Sequence, residues 1–496
     1  MAKEKMSGKY PKRKKQKSLD SMPKWKTSHK NREFAVVTYT FLAIFVGLMA
    51  YFAYFQFFKS EDFINSPYNS RQDTFSTRIV RGDILSADGK VLAETVTDSE
   101  GNETRNYPYG NMFAHAVGYS VNGKAGIESQ MNFNLLRSHT FFLEQIVNEL
   151  QGKKNQGDNV VTTLNYTLQS TAYDALGSYD GAIIVIEPST GKILAMVSKP
   201  DYDPNTIAAQ WSDLISSDSS ALLNRTTQGL YPPGSTFKIF TTLEYMHENS
   251  NIEDYSFDCS GSFTSEGSTI HCYNNKSHGT ENLLQSFEHS CNSSYANIGL
   301  GLDASKFTKL CDSLLFNTTL PTAYESSISS FSLDDNSGDA LVMQTAIGQG
   351  ETLVTPMHMA LVTAAIANDG VLMRPYVVDH TENDKGVVVK EYSPSVYGTL
   401  LSEDDASVMQ EYMKGVVSEG TGTKLSGQSY TAAGKTGSAE FTSSSGDGTH
   451  SWFVGYASFD GKEDIAIAVI VEDSGAGSEY AVPAAKKIFD AYNALN

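Results

Sequence analysis

Three short motifs, in a fixed order along this 496-residue chain, constrain its fold more than any other feature. They are Ser235-Thr-Phe-Lys238, Ser290-Cys-Asn292 and Lys435-Thr-Gly437. Each motif alone is weak, since Ser-x-x-Lys also occurs at residues 21–24 and 189–192. Their order, with separations of 55 and 145 residues between the starts of the motifs, is typical of one serine acyl-transfer site. The chain must therefore fold so that three distant segments meet.

The first motif supplies a nucleophile and a base. A serine hydroxyl attacks poorly until a neighbouring group takes its proton. The Pro-Pro-Gly run before Ser235 ends an irregular segment and the next residues favour a helix, so Lys238 is predicted on the same helical face. Lysine accepts a proton at neutral pH only if burial or a nearby cation lowers its pKa from about 10.4. Lys435 could be that cation. An isolated motif of this kind would instead indicate an exposed helix start with a solvated lysine.

The second motif offers a hydroxyl and a carboxamide. Ser290 could relay a proton, and Asn292 could hold a substrate peptide group from both of its ends. Both side chains are predicted to face the cleft, while Cys291 turns away into the helical part of the fold and stays reduced. Without the other motifs, a polar helix cap would be the better interpretation.

The third motif is predicted to lie on an extended edge segment, whose small residues let a ligand approach the backbone closely. The Lys435 ammonium group and the Thr436 hydroxyl suit a substrate carboxylate, and Gly437 leaves room beside them. The backbone N–H of Ser438, together with that of Ser235, could form an oxyanion hole. An ordinary hairpin turn is the alternative for this motif alone.

The order of helical and strand-like segments predicts an α+β fold. The predicted elements are a helix at 168–176, strands at 181–187 and 192–198, a helical middle, a turn at 443–448, strands at 450–457 and 464–472, and a helix at 481–493. Strands at both ends of a helical middle favour this fold class over an alternating α/β arrangement.

The motifs and their flanking residues resemble class B penicillin-binding proteins, which are membrane-anchored D,D-transpeptidases that cross-link peptidoglycan. Besides the motifs, the stretches that carry the resemblance are residues 186–198, Asn224-Arg225, 347–356 and 452–456. The resemblance covers nearly everything after residue 78. It implies a head like those of penicillin-binding transpeptidases and serine β-lactamases, with an antiparallel sheet flanked by helices, an all-helical lobe and the active site between them. It implies no cofactor.

The resemblance also implies roles for single residues. These roles are nucleophile for Ser235, base for Lys238, proton relay for Ser290, peptide binding for Asn292, and contact with the substrate or its carboxylate for Lys435, Thr436, Gly437 and Ser438. The family usually has threonine where this chain has Ser438, a mild departure because the backbone acts there. The amino-terminal signature Arg-Gly-x-Ile-x-Asp-Arg-x-Gly begins at Arg81 but has Ser86 and Ala87 in place of Asp-Arg, which leaves the contacts of the non-catalytic domain open.

One apolar run predicts a membrane anchor. Residues 34–58 are 25 residues without a charge, and as a helix they would span about 38 Å, more than the roughly 30 Å hydrocarbon core. Residues 1–33 hold 12 Lys or Arg and 3 acidic residues, so the positive-inside rule predicts that they are cytoplasmic and that residues 59–496 lie outside. A cleaved signal peptide is the alternative, but its apolar core is normally only about 7–15 residues long. For the basic tail, membrane lipid is a simpler partner than nucleic acid.

The net charge and the cysteines further limit the functions and sites that the exported part can have. The whole chain carries −19 and residues 1–33 carry +9, which leaves −28 on the remainder and argues against a nucleic-acid binder. Cys259 and Cys272 flank a Gly/Ser-rich stretch and are a candidate disulfide, while Cys311 lies in a helical segment. His271 and His278 next to these cysteines suggest zinc, but no spacing here matches a known zinc motif, so no metal site is predicted.

Together these features predict four parts, which are a basic cytoplasmic tail (1–33), a transmembrane helix (34–58), a pedestal domain (59–155) and a transpeptidase domain (156–496). The leading function is a peptidoglycan D,D-transpeptidase that acts on stem peptides and is inhibited by β-lactams. A D,D-carboxypeptidase or β-lactamase-type hydrolase and a β-lactam-binding sensor or scaffold are the alternatives. About 100 pedestal residues are too few for a glycosyltransferase domain, so the resemblance implies a SEDS-type glycan polymerase as a partner.

Overall fold

The computed structural model describes residues 28–59, 78–216, 220–443 and 446–495, and the chain divides into two compact units, Met1–Ile64 and Asn65–Asn496. In the first unit, helix α1 (Ser28–Tyr54) continues into a π-helical turn, Phe55–Lys59. Within α1, Arg32–Tyr54 is long and apolar enough to cross a membrane, with a mean hydropathy of 2.0. The predicted apolar span is therefore helical. Most of the predicted basic tail, residues 1–27, lies outside the described residues.

The second unit is built from short and medium helices. They are α2 (Ala114–Val117), α3 (Gly126–Gln130), α4 (Asn132–Leu135), α5 (Phe142–Leu150), α6 (Tyr166–Leu176), α7 (Ile207–Ser216), α8 (Lys238–Glu248), α9 (Leu283–Glu288), α10 (Asn292–Gly301), α11 (Ala304–Ser313), α12 (Asp339–Ala346), α13 (Pro356–Ala367), α14 (Glu403–Ser418) and α15 (Ala481–Ala494). A 3₁₀ turn, Gly234–Phe237, leads directly into α8.

The strands of this unit form two large sheets and several two-stranded ones. They are β1 (Ile79–Val80), β2 (Ile84–Leu85), β3 (Val91–Thr97), β4 (Glu103–Asn106), β5 (Asn155–Gln156), β6 (Asn159–Thr162), β7 (Gly181–Ile186), β8 (Ile193–Lys199), β9 (Phe257–Cys259), β10 (Ser262–Ser265), β11 (Ser268–His271), β12 (Gly279–Glu281), β13 (Val371–Met373), β14 (Val378–Glu382), β15 (Val388–Glu391), β16 (Val396–Thr399), β17 (Thr431–Ser443), β18 (Gly446–Ser458) and β19 (Ile465–Val471).

The five-stranded antiparallel sheet, in the order β17-β18-β19-β7-β8, carries the third motif. Its central strands β7 and β19 are buried along their whole length, which explains why they read as continuous apolar runs. Successive residues of a strand point to opposite faces. Ile184 accordingly packs in the core that contains α13, whereas Ile183 packs in the core that contains α6 and α15. Helices thus cover both faces of the sheet, and β17 is left at its edge.

The six-stranded sheet, in the order β15-β14-β6-β2-β3-β4, joins the two predicted domains. Strands β2 to β4 come from residues 84–106, whereas β14 and β15 come from residues 378–391. Strand β6 lies between them, parallel to β2 and antiparallel to β14. Strands that precede residue 155 in sequence therefore share one sheet with strands that follow it, because segments far apart in sequence complete the hydrogen bonding of the sheet. The division at residue 155 stays a prediction.

The amino-terminal signature residues contribute to this sheet region. Arg81 donates to the buried carboxylate of Glu128, with Arg81 Nε 2.6 Å from Glu128 Oε2, and Arg105 Nε donates to Glu128 Oε1 at 2.7 Å. Ser86, one of the two departures from the family signature, is buried, and its hydroxyl accepts from the backbone N–H of Lys90 at 2.8 Å. The altered signature therefore still closes a local turn.

The predicted elements agree with the structure to within a few residues, with two differences. The predicted turn at 443–448 is narrower, since β17 and β18 stay paired as far as Ser443 opposite Gly446, and residues 444 and 445 lie outside the described part. The lobe predicted as all-helical also contains the small sheets β9/β12 and β10/β11. These strands lie in the Gly/Ser-rich stretch that follows α8, where the helical pattern stops.

Candidate active site

Ser235 lies in the 3₁₀ turn that opens helix α8, half-buried at the end of the Pro-Pro-Gly run. Gly234 has φ = 54°, a left-handed conformation that side chains disfavour. A Cβ on Gly234 would also lie 2.8 Å from the carbonyl oxygen of Ser438. Only glycine therefore lets the turn that carries Ser235 approach strand β17 so closely. The turn is fixed from its other side by Trp452, whose Nε1 donates to the carbonyl oxygen of Pro232 at 3.1 Å.

Lys238 is completely buried at the first residue of α8. Its Nζ donates to the carbonyl oxygen of Ser290 at 2.7 Å, to the Ser290 hydroxyl at 3.1 Å and to Oδ1 of Asn292 at 2.7 Å. The ring of Tyr295 lies 5.2 Å from Nζ. The first two motifs, more than 50 residues apart in sequence, are therefore joined by one ammonium group. Among the described residues, no side-chain hydrogen bond joins Lys238 to Ser235, a contact that often forms only when substrate is bound.

The second motif is a tight reversal between α9 and α10. Ser290 has φ = 58°, and Cys291 then caps α10, its sulfur accepting from the backbone N–H of Ser294 at 3.4 Å. This reversal turns Ser290 and Asn292 towards Lys238. The Asn292 amide nitrogen donates to the carbonyl oxygen of His271 at 2.9 Å, so both ends of the carboxamide have protein partners here. A substrate peptide group would share or replace these contacts.

The third motif occupies the edge strand β17, as predicted. Lys435 is completely buried, with Nζ 3.3 Å from the carbonyl oxygen of Thr436 and 5.4 Å from the ring of Phe287. A Cβ on Gly437 would lie 3.0 Å from the carbonyl oxygen of Pro233. The Ser438 hydroxyl accepts from the backbone N–H of Gly477 at 3.3 Å. The small residues of the motif thus allow β17 and the turn before Ser235 to come into contact.

Two lysines lie buried in this site, and burial lowers the pKa of both. Burial lowers the pKa of Lys238 to about 8, although the nearby Cys291, Cys272 and Glu281 act in the opposite direction. Burial, and then the positive charge of Lys238, lower the pKa of Lys435 well below its ordinary value. Protons of such a pair are lost in steps that belong to the pair. Burial thus moves the pKa of both amines down towards neutral pH, the direction that a lysine base requires.

Sequence reasoning missed one residue of this site, Thr421. Its hydroxyl lies 2.6 Å from the hydroxyl of Thr436, in the loop that follows α14. No local pattern marks it, since it is one of two threonines in the stretch Gly-Thr-Gly-Thr at 420–423. Only the packing of α14 against β17 reveals that it orients Thr436.

The cysteines differ from the prediction. Among the described residues all four are free thiols, and the sulfurs of Cys259 and Cys272 are 3.7 Å apart, beyond the roughly 2.05 Å of a disulfide bond. The predicted disulfide is therefore absent from the structure. Cys291 turns away from the cleft, but towards Cys272, whose sulfur is 3.8 Å from its own. Cys311 is buried separately within α11.

Two family models match the chain. The transpeptidase domain of penicillin-binding proteins matches residues 181–490. The chain belongs to the penicillin-binding protein transpeptidase family. The dimerisation domain of penicillin-binding protein A matches residues 81–160. The family resemblance and the α+β fold class predicted from the sequence are confirmed.

Similar proteins share most of the length of this penicillin-binding protein. A protein named peptidoglycan D,D-transpeptidase PbpA, from Mycolicibacterium smegmatis, is 29% identical over 469 residues, which are 90% of this chain and 94% of that one. The structure of penicillin-binding protein A from M. tuberculosis as a ceftriaxone acyl-enzyme complex has a TM-score of 0.76, with 27% identity over 85% of this chain and 99% of that one. The D,D-transpeptidase domain of a peptidoglycan glycosyltransferase from Eggerthella lenta has a TM-score of 0.74, with 31% identity over 84% and 98%.

Proposed function

We propose that this chain is a serine D,D-transpeptidase that acts on peptidoglycan stem peptides ending in D-Ala-D-Ala and is acylated by β-lactams. The observation that carries the proposal is the convergence at Lys238, whose ammonium group joins Ser290 and Asn292 beside the turn of Ser235. On its other side, this turn packs closely against β17, the edge strand that carries Lys435. Relatives named as D,D-transpeptidases and solved as β-lactam acyl-enzymes support the same chemistry.

In the acylation step, the Ser235 oxygen attacks the carbonyl carbon of the penultimate D-Ala while its proton passes to the neutral amine of Lys238. The resulting oxyanion would accept hydrogen bonds from the backbone N–H groups of Ser235 and Ser438. The proton then returns through the Ser290 hydroxyl, 3.1 Å from Lys238 Nζ, to the nitrogen of the departing D-Ala. The C–N bond breaks and an ester to Ser235 remains.

Substrate binding is assigned to the remaining motif residues. Lys435 and Thr436 would pair with the terminal carboxylate, and Thr421 would hold the Thr436 hydroxyl in place. Asn292 would bind the peptide group next to the scissile bond. In the second half-reaction, the amine of another stem peptide attacks the ester carbonyl and gives up its proton to the Lys238 amine. The C–O bond to Ser235 then breaks, the new amide remains, and Lys238 returns the proton to the Ser235 oxygen.

A labelled penicillin tests the nucleophile. Ser235→Ala should abolish covalent labelling of the full chain in detergent, because it removes the hydroxyl that attacks in the proposed acylation step. The matched control is Ser189→Ala, in an exposed Ser-x-x-Lys sequence that lies outside the site, and it should label like the wild type. Label retained in Ser235→Ala, mapped to another residue, would contradict the assignment.

A substrate assay tests the choice of acceptor. The full chain is given a stem peptide ending in D-Ala-D-Ala, with and without an excess of a second amine-bearing stem peptide. Release of D-Ala together with a cross-linked product supports a transpeptidase. Release of D-Ala with only the shortened peptide, whatever the amine concentration, would favour the carboxypeptidase alternative. Hydrolysis of penicillin at many turnovers would favour a β-lactamase.

We also propose that the head is extracytoplasmic, with residues 1–33 in the cytoplasm and helix α1 across the membrane. The apolar stretch Arg32–Tyr54 and the basic residues before it support this orientation. Anionic lipid would be the partner of that tail. Protease added to intact protoplasts should digest the head and spare an amino-terminal tag. Protection of the head with loss of the tag would reject the orientation.

For the partner, we propose a SEDS-type glycan polymerase that contacts the pedestal region, residues 59–155. Helix α5 offers a surface for it, since Phe142, Leu143 and Leu150 are 68, 59 and 83% exposed. The full chain and the polymerase should co-purify from detergent extracts, and Leu143→Glu should weaken that association. Tyr273→Glu, at an exposed tyrosine of the head, is the control. Equal co-purification of both variants would reject α5 as the contact.

A further inference from the structure

Four side chains that take no part in the proposed reaction come together behind Ser290 and Asn292. They are Cys259, Cys272, His278 and Cys291, whose ligand atoms all lie within 4.8 Å of one another. The sulfur of Cys272 is 3.7 Å from that of Cys259 and 3.8 Å from that of Cys291. Nδ1 of His278 is 3.4 Å from the sulfur of Cys259. Three thiols and one imidazole therefore occupy the corners of a compact group.

The distances fit a metal better than a disulfide. Zinc binds thiolate sulfur at about 2.3 Å in a tetrahedron, which places two ligand sulfurs about 3.8 Å apart. A disulfide needs sulfurs about 2.05 Å apart and would leave the third thiol and His278 without a role. Three soft sulfur ligands and one imidazole nitrogen select zinc among the common divalent cations.

The surroundings of the sulfurs are those of bound thiolates. The three cysteines are 0–2% exposed, and His278 is half-buried. The backbone N–H of Ser294 donates to the Cys291 sulfur at 3.4 Å, and that of Ser293 points at the Cys272 sulfur at 3.5 Å. Both donors are in the first turn of α10, a ten-residue helix whose N-terminus favours negative charge. Backbone donors of this kind orient and stabilise metal-bound sulfur.

We propose that Cys259, Cys272, His278 and Cys291 bind one structural Zn²⁺ ion. Binding replaces three thiol protons with the metal, so the four-coordinate centre carries one net negative charge and leaves no coordination position open for catalysis. The ligands are 13, 6 and 13 residues apart, which is why the sequence matched no zinc motif. The hairpin β10/β11 and the strand pair β9/β12 on either side of it in sequence, with few apolar side chains of their own, bring them together.

The site has a consequence for the reaction, and this part rests on the proposed function. Cys291 lies between Ser290 and Asn292, and the Asn292 amide donates to His271, the residue before Cys272. The metal would therefore fix the reversal at Ser290 against β11. It would also keep the Ser290 hydroxyl and the Asn292 carboxamide in hydrogen-bonding contact with Lys238. The ligand cysteines are positioning residues here, since none touches the reacting atoms.

Metal content tests the site directly. The full chain, purified in detergent without chelator, should contain about one zinc ion per chain, measured by inductively coupled plasma mass spectrometry. Cys259→Ser and Cys272→Ser should lower this value at least fivefold, while Cys311→Ser, at a buried cysteine outside the group, should keep it. Zinc content near zero in the wild type, or unchanged in the two ligand variants, would overturn the proposal.

A thiol count protects this test against misfolded variants, since it needs only the wild-type chain. After denaturation with a chelator, four thiols should react. Two reactive thiols and no zinc would mean that a disulfide occupies the place of the metal, and four reactive thiols without zinc would mean a plain cysteine core. Either outcome overturns the proposal.

Acylation then tests the coupling. Removal of zinc from the wild type should slow labelling by penicillin at least about tenfold and lower Tm, and added Zn²⁺ should restore both. Zinc bound at one per chain with unchanged labelling after its removal would overturn the coupling. Zinc bound in a chain whose Ser235 is never labelled would instead refute the proposed function and leave the metal site standing.

Discussion

The two sides of the candidate active site are held in place by different means. The helical side consists of Lys238, Ser290 and Asn292, which come from two segments and are joined by side-chain hydrogen bonds to one ammonium group. The strand side consists of residues 435–438 of β17, whose backbone is paired with β18 from Thr431 to Ser443. The helical side should therefore depend on the chemistry of its side chains, and the strand side on small size and backbone position.

The strongest test of the helical side is Lys238→Arg. Arginine stays protonated in proteins and cannot take the proton of Ser235, although it is also a long cation. We expect the rate of acylation by labelled penicillin to fall at least about 100-fold, or about 2.7 kcal/mol in the barrier. A rate within about tenfold of the wild type would mean that another group is the base.

The wild-type acylation rate should also depend on pH in a defined direction. Because burial lowers the pKa of Lys238 to about 8, the amine is mostly protonated at pH 6 and mostly neutral at pH 9. The rate should therefore rise as pH increases through about 8 and then level off. The residual rate of Lys238→Arg should lack this rise. A wild-type rate that is flat between pH 6 and 9 would contradict the assignment of the base.

Gly437→Ala tests the size limit on the strand side. The added Cβ would lie 3.0 Å from the Pro233 carbonyl oxygen and from Cγ2 of Thr236, and 3.1 Å from Cβ of Trp452. Overpacking of this kind costs about 1–3 kcal/mol. We expect a lower free energy of unfolding by that amount and an acylation rate about tenfold lower, measured on the full chain in detergent.

The matched control is Gly398→Ala. This glycine lies in β16, and nothing is within 4 Å of an added Cβ. Its stability and acylation rate should equal those of the wild type. Equal behaviour of the two glycine variants would show that β17 and the turn before Ser235 adjust freely. The strand side would then not depend on the small size of its residues.

Thr421→Val should have a smaller effect, because it removes a positioning contact rather than a substrate contact. Loss of the 2.6 Å hydrogen bond to Thr436 would free that hydroxyl to rotate. We expect a loss of about three- to tenfold in kcat/KM for a stem peptide, carried mainly by KM. Thr421→Ser should restore most of it. A variant in which kcat falls and KM is unchanged would argue against a role in binding the carboxylate.

Ser438→Thr should have the smallest effect. The hydroxyl of Ser438 accepts one hydrogen bond, from Gly477 at 3.3 Å, and threonine keeps that hydroxyl while suiting a strand. We expect an acylation rate within about threefold of the wild type. A loss greater than tenfold would show that the side chain at this position, and not only its backbone N–H, contributes to the reaction.

Most of the strand side could be predicted from the sequence. The small residues before and after Lys435 predict an extended edge segment, and β17 is one. For the helical side, the sequence predicted which residues take part but not their conformation or contacts. The spacing of Ser290 and Asn292 placed both in the cleft, but the conformation at Ser290 and the contact of Asn292 with His271 depend on segments that fold against them.

The sequence by itself determined the strands of the five-stranded sheet with the helices at 168–176 and 481–493, the apolar amino-terminal helix and the identity of the motif residues, because each of these is written in local periodicity or in a motif. Only the tertiary structure decided which distant segments meet. It placed β14 and β15 in a sheet with strands from the amino-terminal region, brought Thr421 to Thr436, and gathered three cysteines and a histidine that no spacing had linked. The physical reason is the same in each case. Contacts between residues far apart in sequence depend on how whole elements bury their apolar faces and complete their hydrogen bonds, and no short stretch of sequence contains that information.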